Sequence, residues 1–157
     1  MKDVNEALSE QKKKQQSPGE DDKSILYNDL DTESSDIDKE YEINKQVFQK
    51  LDSLIRRDEL YLSADLSRED LVRMAHMNNT RFAKMIKENT GTNLSGYINE
   101  LRLNHAIHLL KEHPEYTLRA IAEASGINSM PTFHSLFKNK TGMTPSEFKK
   151  TQMDMKQ

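Results

Sequence analysis

Residues 126–145 read GINSMPTFHSLFKNKTGMTP. The stretch opens with a Gly and closes with a second Gly and a Thr-Pro pair. Between them Phe133, Leu136 and Phe137 recur at helical spacing, so one side of a helix is apolar and the other is polar. Pro131 falls where the first turn of that helix would start, and its missing N–H costs nothing there. The polar side carries Thr132, His134, Ser135 and Lys138. What that side faces decides the reading of the whole chain.

The stretch has a near copy upstream. LVRMAHM (71–77) aligns with IAEASGI (121–127) at an offset of 50 residues. After one inserted residue the offset is 51, and Phe82, Met85, Ile86 and Lys87 fall on Phe133, Leu136, Phe137 and Lys138. Thr90-Gly91 then matches Thr141-Gly142, and Tyr97 matches Phe148. Two copies are too few for a solenoid and predict two similar helical units side by side.

Each unit reads as a short helix, a tight turn and a second helix. In the first, Ser67 with Asp70 forms a capping-box variant, the helix ends near Ala75, and Asn78 caps a second helix to about Asn89. In the second, Thr117 caps a helix to about Ala124, Ser125-Gly126-Ile127 turn, and Asn128 or Ser129 caps a helix to about Lys140. Gly126 suits a turn that needs positive φ. Thr144-Pro145-Ser146-Glu147 starts a last helix, over 144–151. This is the layout of a helix-turn-helix, whose second helix enters a DNA major groove. Between the units, residues 95–112 form a linker helix, a rod of roughly 25 Å. Successive major grooves on one face of a duplex lie about 34 Å apart, so such a rod can set two units on neighbouring turns. Strand patterns are absent, and the expected fold class is all-α.

The motifs YINELRLNHAIHLL, IAEASGI and the run from Phe133 to Phe148 ending in GMTPSEF resemble the AraC/XylS-type DNA-binding domain. The resemblance covers about residues 60–150. It implies a pair of helix-turn-helix units, residues 66–91 and 117–142, within a domain at 63–150 that, with the preceding helix, makes the seven-helix fold that binds duplex DNA. It assigns base reading to Asn79, Thr80, Arg81 and Lys84 in the first unit and to Met130, Thr132, His134 and Ser135 in the second, with Met130 equally readable as an edge residue of the core. Lys87, Lys138 and Lys140 are the expected phosphate contacts. The family often has Gln or Arg near Met130, Pro131 and Ser135, and this sequence has neither. Direct reading is therefore expected mainly from the first unit, through Arg81, Lys84 and Thr80, because forked groups discriminate bases. By the same resemblance Arg102 braces the units through an internal carboxylate; a phosphate contact is the alternative. Arg81 and Lys84 taken alone would be an ordinary solvated face; the tandem units are what make them a reading face.

Composition bounds the alternatives. The chain has 157 residues and no Cys. Disulfides, thiolate metal sites and the alkyl-accepting chemistry of repair proteins that carry this domain are excluded, and an enzymatic reading finds no support. His105 and His108 stand three apart on the linker without a third ligand nearby, so no metal and no cofactor are expected. No apolar run is long enough for export or for crossing a bilayer, which makes the cytoplasm the expected compartment and excludes membrane insertion by this stretch. The net charge of −3 hides a split: residues 1–63 hold 10 Lys/Arg against 16 Asp/Glu, and residues 64–150 hold 12 against 9. Residues 1–39 are too polar to offset the cost of ordering and read as disordered. Residues 40–62 contain an amphipathic helix, with Val47, Phe48, Leu51, Leu54 and Ile55 on one stripe. It either packs on the first unit or pairs two copies of the chain through 40–58. Duplex DNA is the expected partner, with RNA polymerase a further candidate. The competing reading is a helical protein-interaction module, the output part of a larger sensor protein, that keeps the fold without DNA reading.

Overall fold

The computed structural model describes residues 22–157. Its described part is helical throughout: α1 (Asp22–Arg57), a 3-10 turn (Leu60–Leu62), α2 (Arg68–Ala75), α3 (Asn79–Thr90), α4 (Leu94–Glu112), α5 (Leu118–Ala124), α6 (Met130–Thr141) and α7 (Pro145–Met155). The chain divides into two compact units at residues 42 and 43, within α1.

Helix α1 starts well before the expected residue 40. Of the segment 1–39 expected to be disordered, residues 1–21 lie outside the described residues, and Asp22 is where the helix starts. No Gly or Pro occurs between Gly19 and Gly91. Once the packed part of a helix has formed, each added residue gains a backbone hydrogen bond without a new nucleation cost. An exposed Lys39–Asp36 pair at 3.5 Å, one turn apart, adds a small contribution.

The second unit, residues 43–157, holds two cores joined by α4. Leu51 and Ile55 of α1 join Leu71 and Ala75 of α2, Phe82, Met85 and Ile86 of α3, and Tyr97, Ile98 and Leu101 of α4. The apolar stripe of α1 is thus used within the chain, and a dimer through 40–58 would have to displace it. Tyr97 reinforces this docking: its hydroxyl donates to Asp52 of α1 at 2.5 Å, and burial lifts its pKa above the usual phenol value. The second core takes Leu103, Ala106 and Leu110 from the other half of α4. Against them lie Ile121 and Ala122 of α5, Ile127, and Phe133 and Phe137 of α6. Phe137 meets Phe133 and Phe148 edge-on at 5.7 and 5.3 Å. Helix α4 therefore has two buried faces, one for each core, and shows no single apolar stripe.

The caps follow the sequence closely. Ser67 accepts from the Asp70 N–H, and Asp70 returns a bond to the Ser67 N–H, closing a capping box. Hydrogen bonds from Ser67 hold the Asp70 carboxyl below the usual carboxylate range. Asn78 caps α3 by accepting from the Arg81 N–H at 2.8 Å, and Ser129 caps α6 by accepting from Thr132. Helix α7 repeats the capping box with Thr144 and Glu147 and has Pro145 at its first position.

The turns of the two units have the same backbone but opposite surroundings. His76 and Gly126, the aligned residues of the duplication, have φ of 53° and 79°. His76 is exposed. Gly126 is buried, and a Cβ there would stand 2.9 Å from the carbonyl oxygens of both Tyr61 and Leu62. An L-residue in the left-handed region costs about 1–2 kcal/mol. His76→Gly should therefore raise the unfolding free energy by about 1 kcal/mol. Gly126→Ala should lower it by about 2 kcal/mol or more, because strain and a clash with backbone add. Urea unfolding of the two variants checks this; equal effects would contradict the assigned difference in packing.

Candidate nucleic-acid interface

The second helix of each unit presents one face to its core and another to solvent. At about 100° per residue, Thr80, Lys84 and Lys87 cluster opposite the Phe82–Met85–Ile86 side of α3. All three are exposed, as is Asn79. On α6, Pro131, Thr132, His134, Ser135 and Lys138 are exposed while Phe133 and Phe137 are buried. These residues form two open helical faces, each starting at a capped N-terminus, where the helix dipole favours an anion.

Three expected site residues have partners within the chain. Met130 is half-buried and packs on the second core. It lies three residues before Phe133 and shares its side of the helix, the core-edge position that the sequence also allowed. Lys140, seven residues after Phe133, is exposed at the end of α6. Its Nζ donates to Glu100 of α4 at 3.0 Å, so it bridges helices instead of standing free for a phosphate. Arg81 lies one turn before the buried Met85. It is half-buried, and its Nε donates to Asn44 Oδ1 of α1 at 3.0 Å. The open, forked base reader expected here is a braced side chain on the flank of the helix.

The remaining polar groups are lightly held. Lys84 stands 3.9 Å from Glu88, one turn on, an exposed pair worth little. Arg68, the first residue of α2, donates to the Asn79 carbonyl at 3.2 Å and places its guanidinium 5.7 Å from the Phe82 ring centroid. It ties the start of α3 to the preceding helix and turns the Asn79 side chain toward itself. Arg68 and Asn44 escaped the sequence reading. Asn44 had a signal: it stands on the stripe of Phe48, Leu51 and Ile55, where an apolar residue would be expected.

The relation between the units rests on Arg102 of α4. The sequence reading paired it with an internal carboxylate. In the structure its Nε donates to the Tyr61 carbonyl at 2.6 Å and its Nη2 to the Ser63 carbonyl at 2.9 Å. These carbonyls lie in and beside the 3-10 turn that Gly126 approaches. A carboxylate is unnecessary because two carbonyls match the planar fork as well. Burial pulls the guanidinium pKa down from its usual value. His105 packs edge-on to Tyr61 at 6.2 Å. Among the described residues no cluster of three metal-ligating side chains occurs, and no helix is long and apolar enough to cross a membrane. Arg102→Ala should cost about 2 kcal/mol, because it strips two carbonyls of their donors; Arg102→Lys should recover less than half of that. Thermal unfolding checks the pair, and full recovery by Lys would contradict the fork geometry.

Comparison with known proteins agrees with this layout. A helix-turn-helix domain family matches residues 71–151. The uncharacterized transcriptional regulatory protein YesN of Bacillus subtilis is 39% identical over 80 residues, 50% of this chain and 22% of that protein. The RCS-specific HTH-type transcriptional activator RclR of Escherichia coli is 31% identical over 81 residues, 52% of this chain and 28% of its own length. The chain thus spans less than a third of either relative. Among solved structures, a transcriptional regulator of Chromobacterium violaceum described as an AraC-type DNA-binding domain-containing protein superposes with a TM-score of 0.59. It is 27% identical and covers 69% of this chain and 93% of that one.

Proposed function

The chain belongs to the AraC-type helix-turn-helix family, and on that premise we propose that it is the DNA-binding part of a bacterial transcriptional regulator. Residues 43–157 bind duplex DNA sequence-specifically, with α3 and α6 entering successive major grooves. The observation that supports this best is the repeated geometry. Two capped helices, each with one face buried in its own core and the other open, are joined by a 19-residue helix. At 1.5 Å per residue that helix is about 28 Å long, close to one turn of duplex.

Within this reading the roles divide by position. Thr80 and Lys84 stand at the centre of the open face of α3 and read base edges there. Thr132, His134 and Ser135 do so on α6, with less discrimination because none is forked. Lys87 and Lys138, at equivalent places late in the two helices, contact phosphates. Lys140 contributes only if it leaves Glu100. A cytoplasmic location and a contact with RNA polymerase follow from such a role.

The interaction-module reading is tested by the same measurement. A gel-shift series at rising salt should show affinity falling linearly on a log–log scale, since each neutralised phosphate releases counterions. Lys138→Ala should weaken binding to every duplex alike and reduce the salt slope by about 1. Lys84→Ala should cost about 1–3 kcal/mol on the preferred sequence and relax preference at one position. Flat or absent binding of the wild-type chain to every duplex would replace this function with the interaction module.

A further inference from the structure

Asn44 is 1% exposed, one of two buried polar side chains among the described residues. It occupies a stripe position of α1 that packs on the first core. Its Nδ2 has no hydrogen-bond partner in the protein, whereas its Oδ1 accepts from Arg81 Nε at 3.0 Å. A buried, half-satisfied amide costs about 1–3 kcal/mol, and an apolar residue of similar size would avoid that. Asn44 therefore adds nothing to stability that leucine could not supply. What it does supply is a fixed hold on one nitrogen of a reading-helix arginine.

That hold leaves the far end of the guanidinium available. Among the described residues Arg81 forms no ion pair, and its Nη groups donate to none of them. Arg81 is the third residue of α3, in the turn where the helix dipole favours an anion. It lies about 90° round the helix from the centre of the Thr80–Lys84–Lys87 face. A group on the flank of a groove-bound helix faces the sugar-phosphate backbone, not the base edges. We propose that Asn44 is a positioning residue for DNA binding, which holds Arg81 by its Nε so that the Nη end of the fork is presented to a backbone phosphate. This rests on the DNA-binding reading above. It assigns Arg81 a sequence-independent contact, and it makes α1 part of the binding machinery.

The test compares the wild-type chain with Asn44→Leu and Arg81→Lys. The probes are two duplexes of about 20 base pairs, spanning two turns. One is selected by the wild-type chain from a random pool and the other is unselected. Asn44→Leu should keep or raise the thermal midpoint. It should weaken binding to both duplexes by about five- to tenfold and lower the salt slope by about 1. Arg81→Lys keeps the charge, has no Nε–H to be held, and alters an accessible side chain, so it folds; it should show the same loss. In an Arg81→Ala background, Asn44→Leu should be silent, as expected of two residues acting through one contact. If the wild type binds and Asn44→Leu or Arg81→Lys matches it in affinity and slope, the positioning role is overturned. Tighter binding by Asn44→Leu would overturn it too, because Asn44 would then be withholding Arg81. If the wild type binds neither duplex, the failure belongs to the DNA-binding reading itself.

Discussion

The backbone carbonyls of Tyr61, Leu62 and Ser63 are the point on which the arrangement of the two helical units depends. They sit in a turn between α1 and α2, outside either repeat. Arg102 reaches them from the middle of α4 with two hydrogen bonds. Gly126 reaches them from the turn of the second unit, close enough that no Cβ fits. One patch of main chain in the first half is therefore clamped by the connecting helix and pressed by the second half. Each core could form without this clamp. Beyond α4, which both cores share, the clamp adds a second tie between them. An interface that must meet two grooves of a stiff duplex at once needs their mutual orientation set beforehand, since ordering it on binding would cost affinity.

The clamp also explains how the duplication diverged. His76 and Gly126 occupy the same place in their turns and share a left-handed backbone. Only the second is under another strand of main chain. The first repeat can carry a side chain at the price of modest strain, whereas the second cannot. Equivalent sequence positions thus answer to different constraints once the copies sit on opposite sides of α4.

Much of the fold was legible in the sequence because its signals are local. Caps at Ser67, Asn78, Thr117 and Thr144, the Gly126 turn and the spacing of Phe133 and Phe137 each act within a few residues. Their helices appear within a residue or two of where they were expected, apart from the later end of the last one. The start of α1 was not legible, since a helix that propagates from a packed segment needs no apolar pattern of its own. The site was legible less fully. Exposure of Thr80, Lys84, Thr132, Ser135 and Lys138 follows from helical phase. The half-burial of Arg81 and Met130 also follows from phase, while the partner of Lys140 does not. The partners of Arg81 and Arg102 come from 37 and 41 residues away. No local pattern points to them.

The central claim is that two reading helices, held at a fixed separation, address one duplex together. Selection of bound sequences from a random duplex pool by the intact chain tests it most directly. The account predicts enrichment of two short clusters of preferred bases whose centres lie about 10 base pairs apart, at a single spacing. A single cluster, two clusters at variable spacing, or a pool that remains unenriched would contradict it.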